Sequence, residues 1–201
     1  MAPGPATWRR WSARDDLPSA AVQSIPAALL LPGWQAGVAD SGLAVAFDRP
    51  WHCLSSAVAG GGWGTAQGFA NRHVDDHDRA ALNTPQTLIA DFAVQRGLAA
   101  PCVGMLTAAS MRSLRIATVD IEGELVCVFV TAGLANARRA GDCADRRELR
   151  PGPCEVGTIN LALATTLALT PAAQVETLTT LTEAKAATLQ SLDARSPISN
   201  A

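Results

Sequence analysis

Residues 104–142 read GMLTAASMRSLRIATVDIEGELVCVFVTAGLANARRAGD, and this stretch decides the fold. Ile116 to Val119 and Leu125 to Val130 are rich in β-branched and apolar residues, the composition of strands. Between them Asp120-Ile121-Glu122-Gly123-Glu124 supplies a turn, with Gly123 free to take positive φ. The second apolar run stops at Thr131-Ala132-Gly133 and gives way to Asn136, Arg138, Arg139, Gly141 and Asp142. A strand that empties into a loop of small and polar residues is a common place for a site.

Upstream of this hairpin, Cys102 to Leu106 predicts a strand leading into Thr107-Ala108-Ala109-Ser110. Before it, Thr84-Pro85 opens a helix, with Thr as N-cap and Pro at the first helical position, and Gly97 closes it. Phe69 to Val74 reads as a strand carrying Asn71, Arg72 and His73. His73, Asp75, His77 and Asp78 have the chemistry of metal ligands, but metal sites usually draw on a second segment, and all three His lie between 52 and 77. A solvated acidic turn is the expectation there, with no metal site. Leu43 to Phe47 is a short strand candidate ending at Asp48-Arg49-Pro50, and Ser55 to Ala59 is another that runs into Gly60-Gly61-Gly62. Three successive glycines permit a backbone shape or a close approach that side chains would forbid. Residues 1–24 lack periodicity and are expected to be frayed or draped on the surface, with Trp8, Trp11 and Trp34 as possible pins. Residues 25–201 are expected to form a single domain.

Downstream, residues 143–155 are charged and proline-marked, a surface loop. Val156 to Leu163 returns to strand character with Thr158 and Asn160. Thr170-Pro171 repeats the capping signal and starts a helix that runs to about Asp193. At about 100° per residue, its Val175, Leu178, Leu181, Leu189 and Leu192 gather on one face, the expected packing stripe. Lys185 falls inside that stripe. A lysine there must snorkel out or find a partner, and Glu183, two residues away, does not face it. Lys185 is expected to reach another element, such as Asp142 or a substrate carbonyl. Interleaved strands, an antiparallel hairpin and two clear helices imply a mixed α/β layered fold, a sandwich of mixed or antiparallel sheet with packed helices.

Composition narrows the function. The chain has 201 residues, 48% of them apolar, and a net charge of −2. That charge gives no electrostatic case for nucleic acid or an anionic membrane. Aromatics are 4% with no Tyr, which argues against base-stacking platforms. The five Cys, at 53, 102, 127, 143 and 154, are odd in number and form no Cys-x-x-Cys, so reduced thiols are expected rather than a disulfide framework or a closed zinc site. Arg9-Arg10 is followed by acidic residues and no adequate apolar core, and no run approaches the roughly 18 apolar residues of a membrane span. A cytoplasmic location is expected.

Six segments together resemble the adenosylcobinamide amidohydrolase family: SSAVAGGGWG at 55–64, FANRHVDDHD at 69–78, GMLTAASM at 104–111, TAGLANARRAGD at 131–142, GTINLAL at 157–163 and TEAKAATL at 182–189. The resemblance runs from about residue 40 to 195. It implies hydrolysis of an amide of adenosylcobinamide, releasing an aminopropanol and leaving adenosylcobyric acid in corrinoid salvage. It implies a small-molecule corrinoid partner that brings its own cobalt, so no further cofactor is required. Members typically continue into a Thr/Gly-rich segment ending in Asp. This sequence stops where that segment would start, so impaired chemistry, or a non-catalytic corrinoid binder, is the alternative expectation.

Amide hydrolysis needs a nucleophile, a proton for the leaving amine and donors for the oxyanion. A Ser-His-Asp triad is hard to build, and a Cys-His pair (Cys53 with His52, or Cys102 with His73) lacks local support. Two options stay open: a threonine nucleophile at Thr107, Thr131 or Thr158, or water activated by Glu183 or Asp142. Glu183, Lys185, Thr131, Thr158 and Asp142 are therefore the catalytic candidates. Asn71, His73, Thr107, Asn136, Asn160, Gly61 and Gly62 are the candidate substrate contacts. A threonine-nucleophile amidase acting on another amide is a further alternative.

Overall fold

A computed structural model describes residues 7–13, 17, 21–75, 78–134 and 157–192. Two sheets face each other across the core. The first has the order β1-β7-β8-β9, from Thr7–Ser12 (β1), Arg115–Ile121 (β7), Glu124–Ala132 (β8) and Ile159–Thr165 (β9), all antiparallel. The second has the order β2-β3-β4-β5-β6, from Gln23–Ser24 (β2), Gln35–Ala39 (β3), Gly42–Ser55 (β4), Gly62–His73 (β5) and Cys102–Thr107 (β6). Its last pair, β5 and β6, is parallel, and the crossover between them holds the short helix Arg79–Asn83 (α1) and the helix Pro85–Gln95 (α2). A third helix, Pro171–Ser191 (α3), closes the described chain. The result is the mixed α/β layered fold expected from the sequence. Among the described residues no helix is long and apolar enough to cross a membrane.

The inter-sheet core follows strand alternation. Leu43, Val45 and Phe69 from one sheet meet Ile116, Cys127 and Phe129 from the other. A one-turn 3₁₀ segment, Ala27–Leu29, plugs the sandwich. Its Leu29 carbonyl accepts hydrogen bonds from Thr118 Oγ1 at 2.6 Å and Cys127 Sγ at 3.3 Å. On the outer face of the second sheet, α2 packs through Ile89, Phe92 and Ala93. Gly104 lets it sit close: a Cβ there would lie 2.0 Å from Ile89 Cγ2.

The β7–β8 hairpin turns at Glu122 (φ 55°) and Gly123 (φ 89°), the two left-handed residues that suit a tight hairpin. Asp120 Oδ1 accepts from the Gly123 amide at 2.9 Å. Thr170 caps α3 by accepting from the Ala173 amide at 3.2 Å, as the Thr-Pro signal predicts.

Four expectations are corrected. Residues 7–12 are not frayed but form β1, because the exposed edge of β7 offers them a ladder from Asp120 to Arg115. β4 does not stop at Pro50; it continues to Ser55 past a register shift between Ala46 and Trp51, an irregularity that accommodates the proline. Ser55 to Ala59 is therefore no separate strand: beyond Ser55 the chain turns, and Ala59 exchanges both backbone hydrogen bonds with Gly104. The β4–β5 arm thus curls until its tip covers the free edge of β6, and Gly60 (φ 67°) passes so near that a Cβ would lie 2.8 Å from the Cys102 carbonyl. Finally, α3 has no buried residue; Val175 is 49% and Leu192 72% exposed, so its apolar face is not a core stripe.

Candidate functional site

Where the C-terminal ends of β5, β6 and β8 meet the start of β9, the inter-sheet layer changes from apolar to polar. Phe69, Met105 and Phe129 are followed two residues on by Asn71, Thr107 and Thr131, and on antiparallel β9 Ala162 is preceded by Asn160. Asn71 is 2% exposed, and Thr107 and Thr131 are each 1% exposed. Polar groups this dry need partners.

One carbonyl sets the polarity of the whole network. Leu106 O can only accept, and the Asn160 atom 2.9 Å from it is Nδ2. That same Nδ2 lies 2.8 Å from Asn71, whose facing atom is consequently the acceptor Oδ1. Asn71 Nδ2 then donates to Thr131 Oγ1 at 2.9 Å. Thr131 Oγ1 accepts a hydrogen bond and keeps its own proton available to donate. Thr131 and Asn160 are direct partners across the β8–β9 ladder, so the network joins neighbours in one sheet to Asn71 in the other. Thr107 stands beside it, its Oγ1 accepting from the Ala109 amide at 3.1 Å and its carbonyl from the Val74 amide at 2.9 Å.

The remaining sequence candidates divide. His73 is half-buried at the end of β5, paired with Thr107, and two residues beyond Asn71 on the same strand face. Thr158 is half-buried two residues before Asn160, and its carbonyl accepts from the Gly133 amide at 2.9 Å. Gly61 and Gly62 are not gathered here; they lie at the tip of the arm, at the other end of β5 from Asn71. Glu183 is exposed and Lys185, the only lysine in the chain, is half-buried on α3; among the described residues neither is hydrogen-bonded to the network. Asn136, Asp142 and His77 lie outside the described residues. Asp78 caps α1, accepting from the amides of Ala80 at 2.9 Å and Ala81 at 3.3 Å. Among the described residues no three His, Cys, Asp or Glu side chains stand close enough together to hold a metal.

Sequence reasoning missed the Leu106 carbonyl, because a main-chain oxygen carries no residue-type signal. It also missed a cavity of about 530 Å³ beyond the Phe69–Phe129 layer, bounded by the curled arm, β9 and α3. Its walls include Trp34, Phe47 and Trp51 on one side and Leu161 and Leu181 on the other. The tryptophans were visible in the sequence, but only the curl of the arm brings Trp51 to Trp34.

Among the described residues the thiols are poor nucleophiles. Burial pushes Cys102 up to about 11, and does the same to Cys127, where the Thr118 hydroxyl partly offsets it. Cys53 is also raised by burial. Each is a protonated thiol at neutral pH, which disfavours both Cys-His pairings. What the network offers is a set of uncharged donors in a dry place, suited to an amide or its oxyanion.

A family model described as adenosylcobinamide amidohydrolase (CbiZ) matches residues 34–201. No curated protein and no solved structure matches the chain.

Proposed function

The chain belongs to the adenosylcobinamide amidohydrolase family, and on that premise we propose that it hydrolyses the aminopropanol amide of adenosylcobinamide, giving adenosylcobyric acid. Water supplies hydroxyl to the acyl carbon, the C–N bond breaks, and the amine leaves with a proton. No electrons are transferred, and the cobalt enters with the substrate. The reading places the enzyme in the cytoplasm, where Cys53, Cys102 and Cys127 as free thiols would be at home.

The observation that carries this reading is the Asn71–Thr131 hydrogen bond. It stands where single residues from four family-like segments, Asn71, Leu106, Thr131 and Asn160, come together. Asn71 fixes the Thr131 hydroxyl, which either donates to the scissile carbonyl or attacks it. Asn160 holds Asn71. In the attack route the Thr131 proton must pass to a base, for which Glu183 and Asp142 are the candidates, and that base returns it to the leaving amine; Lys185 is the candidate for holding the oxyanion, and Thr158 is the alternative nucleophile. In the donor route the same base activates water.

The test is incubation of the full chain with adenosylcobinamide, with the products followed by mass spectrometry. Adenosylcobyric acid in stoichiometric yield with aminopropanol supports the reaction. Bound but unchanged corrinoid would instead support a non-catalytic binder. Rapid quenching separates the two routes: a mass increase of one corrinoid acyl group on the peptide holding Thr131 marks a threonine nucleophile, and its absence during turnover marks activated water.

A further inference from the structure

The cavity under the curled arm is built differently from a packing defect. Trp34 and Phe47 stack at 4.0 Å with 22° between their planes, and Trp51 stands edge-on to Trp34 at 5.0 Å. The Arg49 guanidinium lies 5.6 Å over the Trp51 ring. Side chains of β9 and α3 form the opposite wall, mostly aliphatic with Thr165, Gln174 and Thr177 among them. The indole N–H groups of both Trp34 and Trp51 are buried without a hydrogen-bond partner. Both nitrogens are closed off from the cavity as well as from solvent, so the rings meet the space through their carbon atoms. The space is also held open. The arm is fixed at its base by the β4–β5 ladder and at its tip by the Ala59–Gly104 pair, so it does not collapse onto β9.

We infer that this cavity binds a planar heteroaromatic group of the purine class. Such a group has two apolar faces to lie between the aromatic and aliphatic walls, and polar edge atoms to meet the polar side chains of the lining, Arg49, Gln174 and Thr177. An aliphatic chain would bury area against the same rings but would leave Arg49, Gln174 and Thr177 facing it with nothing polar to meet. The volume, about 530 Å³, falls within the roughly 300–1,000 Å³ of small-molecule sites and accommodates a nucleoside. The cavity also adjoins the polar network: Phe69, Met105, Phe129 and Ala162 line it and stand two residues from Asn71, Thr107, Thr131 and Asn160. Neighbouring sites of this kind suit a substrate that carries a nucleoside on one part and the scissile amide on another. Assigning the purine to the substrate's own adenosyl group rests on the reaction proposed above; the binding itself does not.

The experiment titrates adenosine into the full chain by calorimetry, with no corrinoid present. Saturable one-to-one binding is expected. Trp51→Leu should weaken it at least about fivefold, the low end for loss of one base-stacking ring. Gln174→Leu, which keeps the bulk and removes a polar group of the lining, should also weaken it, while Trp63→Leu, at an exposed position outside the cavity, should not. No saturable binding to the folded wild type overturns the inference. So does binding indifferent to both Trp51→Leu and Gln174→Leu, or displacement by dodecanoate but not by adenine. Competition then separates the sources. If adenosine displaces adenosylcobinamide, and hydroxocobinamide binds more weakly than adenosylcobinamide only when Trp51 is present, the purine is the substrate's own. If adenosine binds without affecting corrinoid binding, the site serves a free nucleoside. Because the titration reads binding alone, it stands even if no amide is hydrolysed.

Discussion

Asn71 and Thr131, 60 positions apart in the chain, are joined by a 2.9 Å hydrogen bond that ties one sheet to the other. The bond is buried, and its direction is set two links away by the Leu106 carbonyl through Asn160. A site whose donors are ordered by a main-chain oxygen keeps its polarity whatever enters it.

Asn71→Leu should destabilise the fold by about 1–3 kcal/mol, since it strips a buried hydroxyl of its donor; urea midpoints measure this. Asn71→Asp makes a sharper test. At a position only 2% exposed, burial will raise the new carboxyl above its unfolded value of about 3.9. A raised folded pKa means stability is intact below the unfolded value and is lost as pH rises through the folded one. The variant should therefore approach wild type near pH 4 and fall away towards pH 7. A constant deficit across that range would argue against a dry site.

Thr131→Val keeps the shape of the side chain and removes the hydroxyl. In the proposed reaction kcat should drop at least about 100-fold, as for loss of one oxyanion donor, with KM little changed. Thr131→Ser should retain most activity. Steady-state rates with adenosylcobinamide decide it, and equal losses in both variants would point to packing rather than to the hydroxyl.

Gly104→Ala should cost about 1–3 kcal/mol by overpacking, because its Cβ would fall 2.0 Å from Ile89 Cγ2 and push α2 off the sheet. Ile89→Ala alone should cost about 2–5 kcal/mol. In the double variant the added methyl occupies the space vacated by Ile89. The two losses should then fall short of additivity by at least about 0.5 kcal/mol in a denaturation cycle.

Cys102 and Cys127 are both pushed up to about 11 by burial, from 9.0 in the unfolded chain. A raised thiol pKa leaves stability undiminished below pH 9 and erodes it as pH rises from 9 towards 11, where the unfolded chain releases protons that the folded one retains. The chain has no tyrosine to titrate in the same window. Urea midpoints should decline from pH 9 upward, and the decline should be shallower in Cys102→Ala. At pH 8, peptide-resolved alkylation should find both thiols slow until urea is added.

The sequence by itself determined the elements whose causes are local. The β7–β8 hairpin follows from two β-rich runs around Glu122-Gly123, where the turn needs two left-handed residues in succession. α2 and α3 begin at Thr84-Pro85 and Thr170-Pro171 because proline at the first helical position costs no hydrogen bond. Asn71, Thr107, Thr131 and Asn160 were singled out as residues. Tertiary structure alone decided which of the candidates meet. Strand β1 exists because β7 has an open edge, a partner more than a hundred residues away that no local pattern encodes. The curl of the arm depends on Ala59 finding Gly104, and it creates the aromatic cavity. The stripe on α3 has helical spacing, yet spacing says only which residues share a face, not whether another element covers it. The Asn160–Asn71–Thr131 relay needs four strand ends at one level between two sheets. Register and sheet order set that level, and both are fixed by burial across the whole sandwich rather than by any one segment.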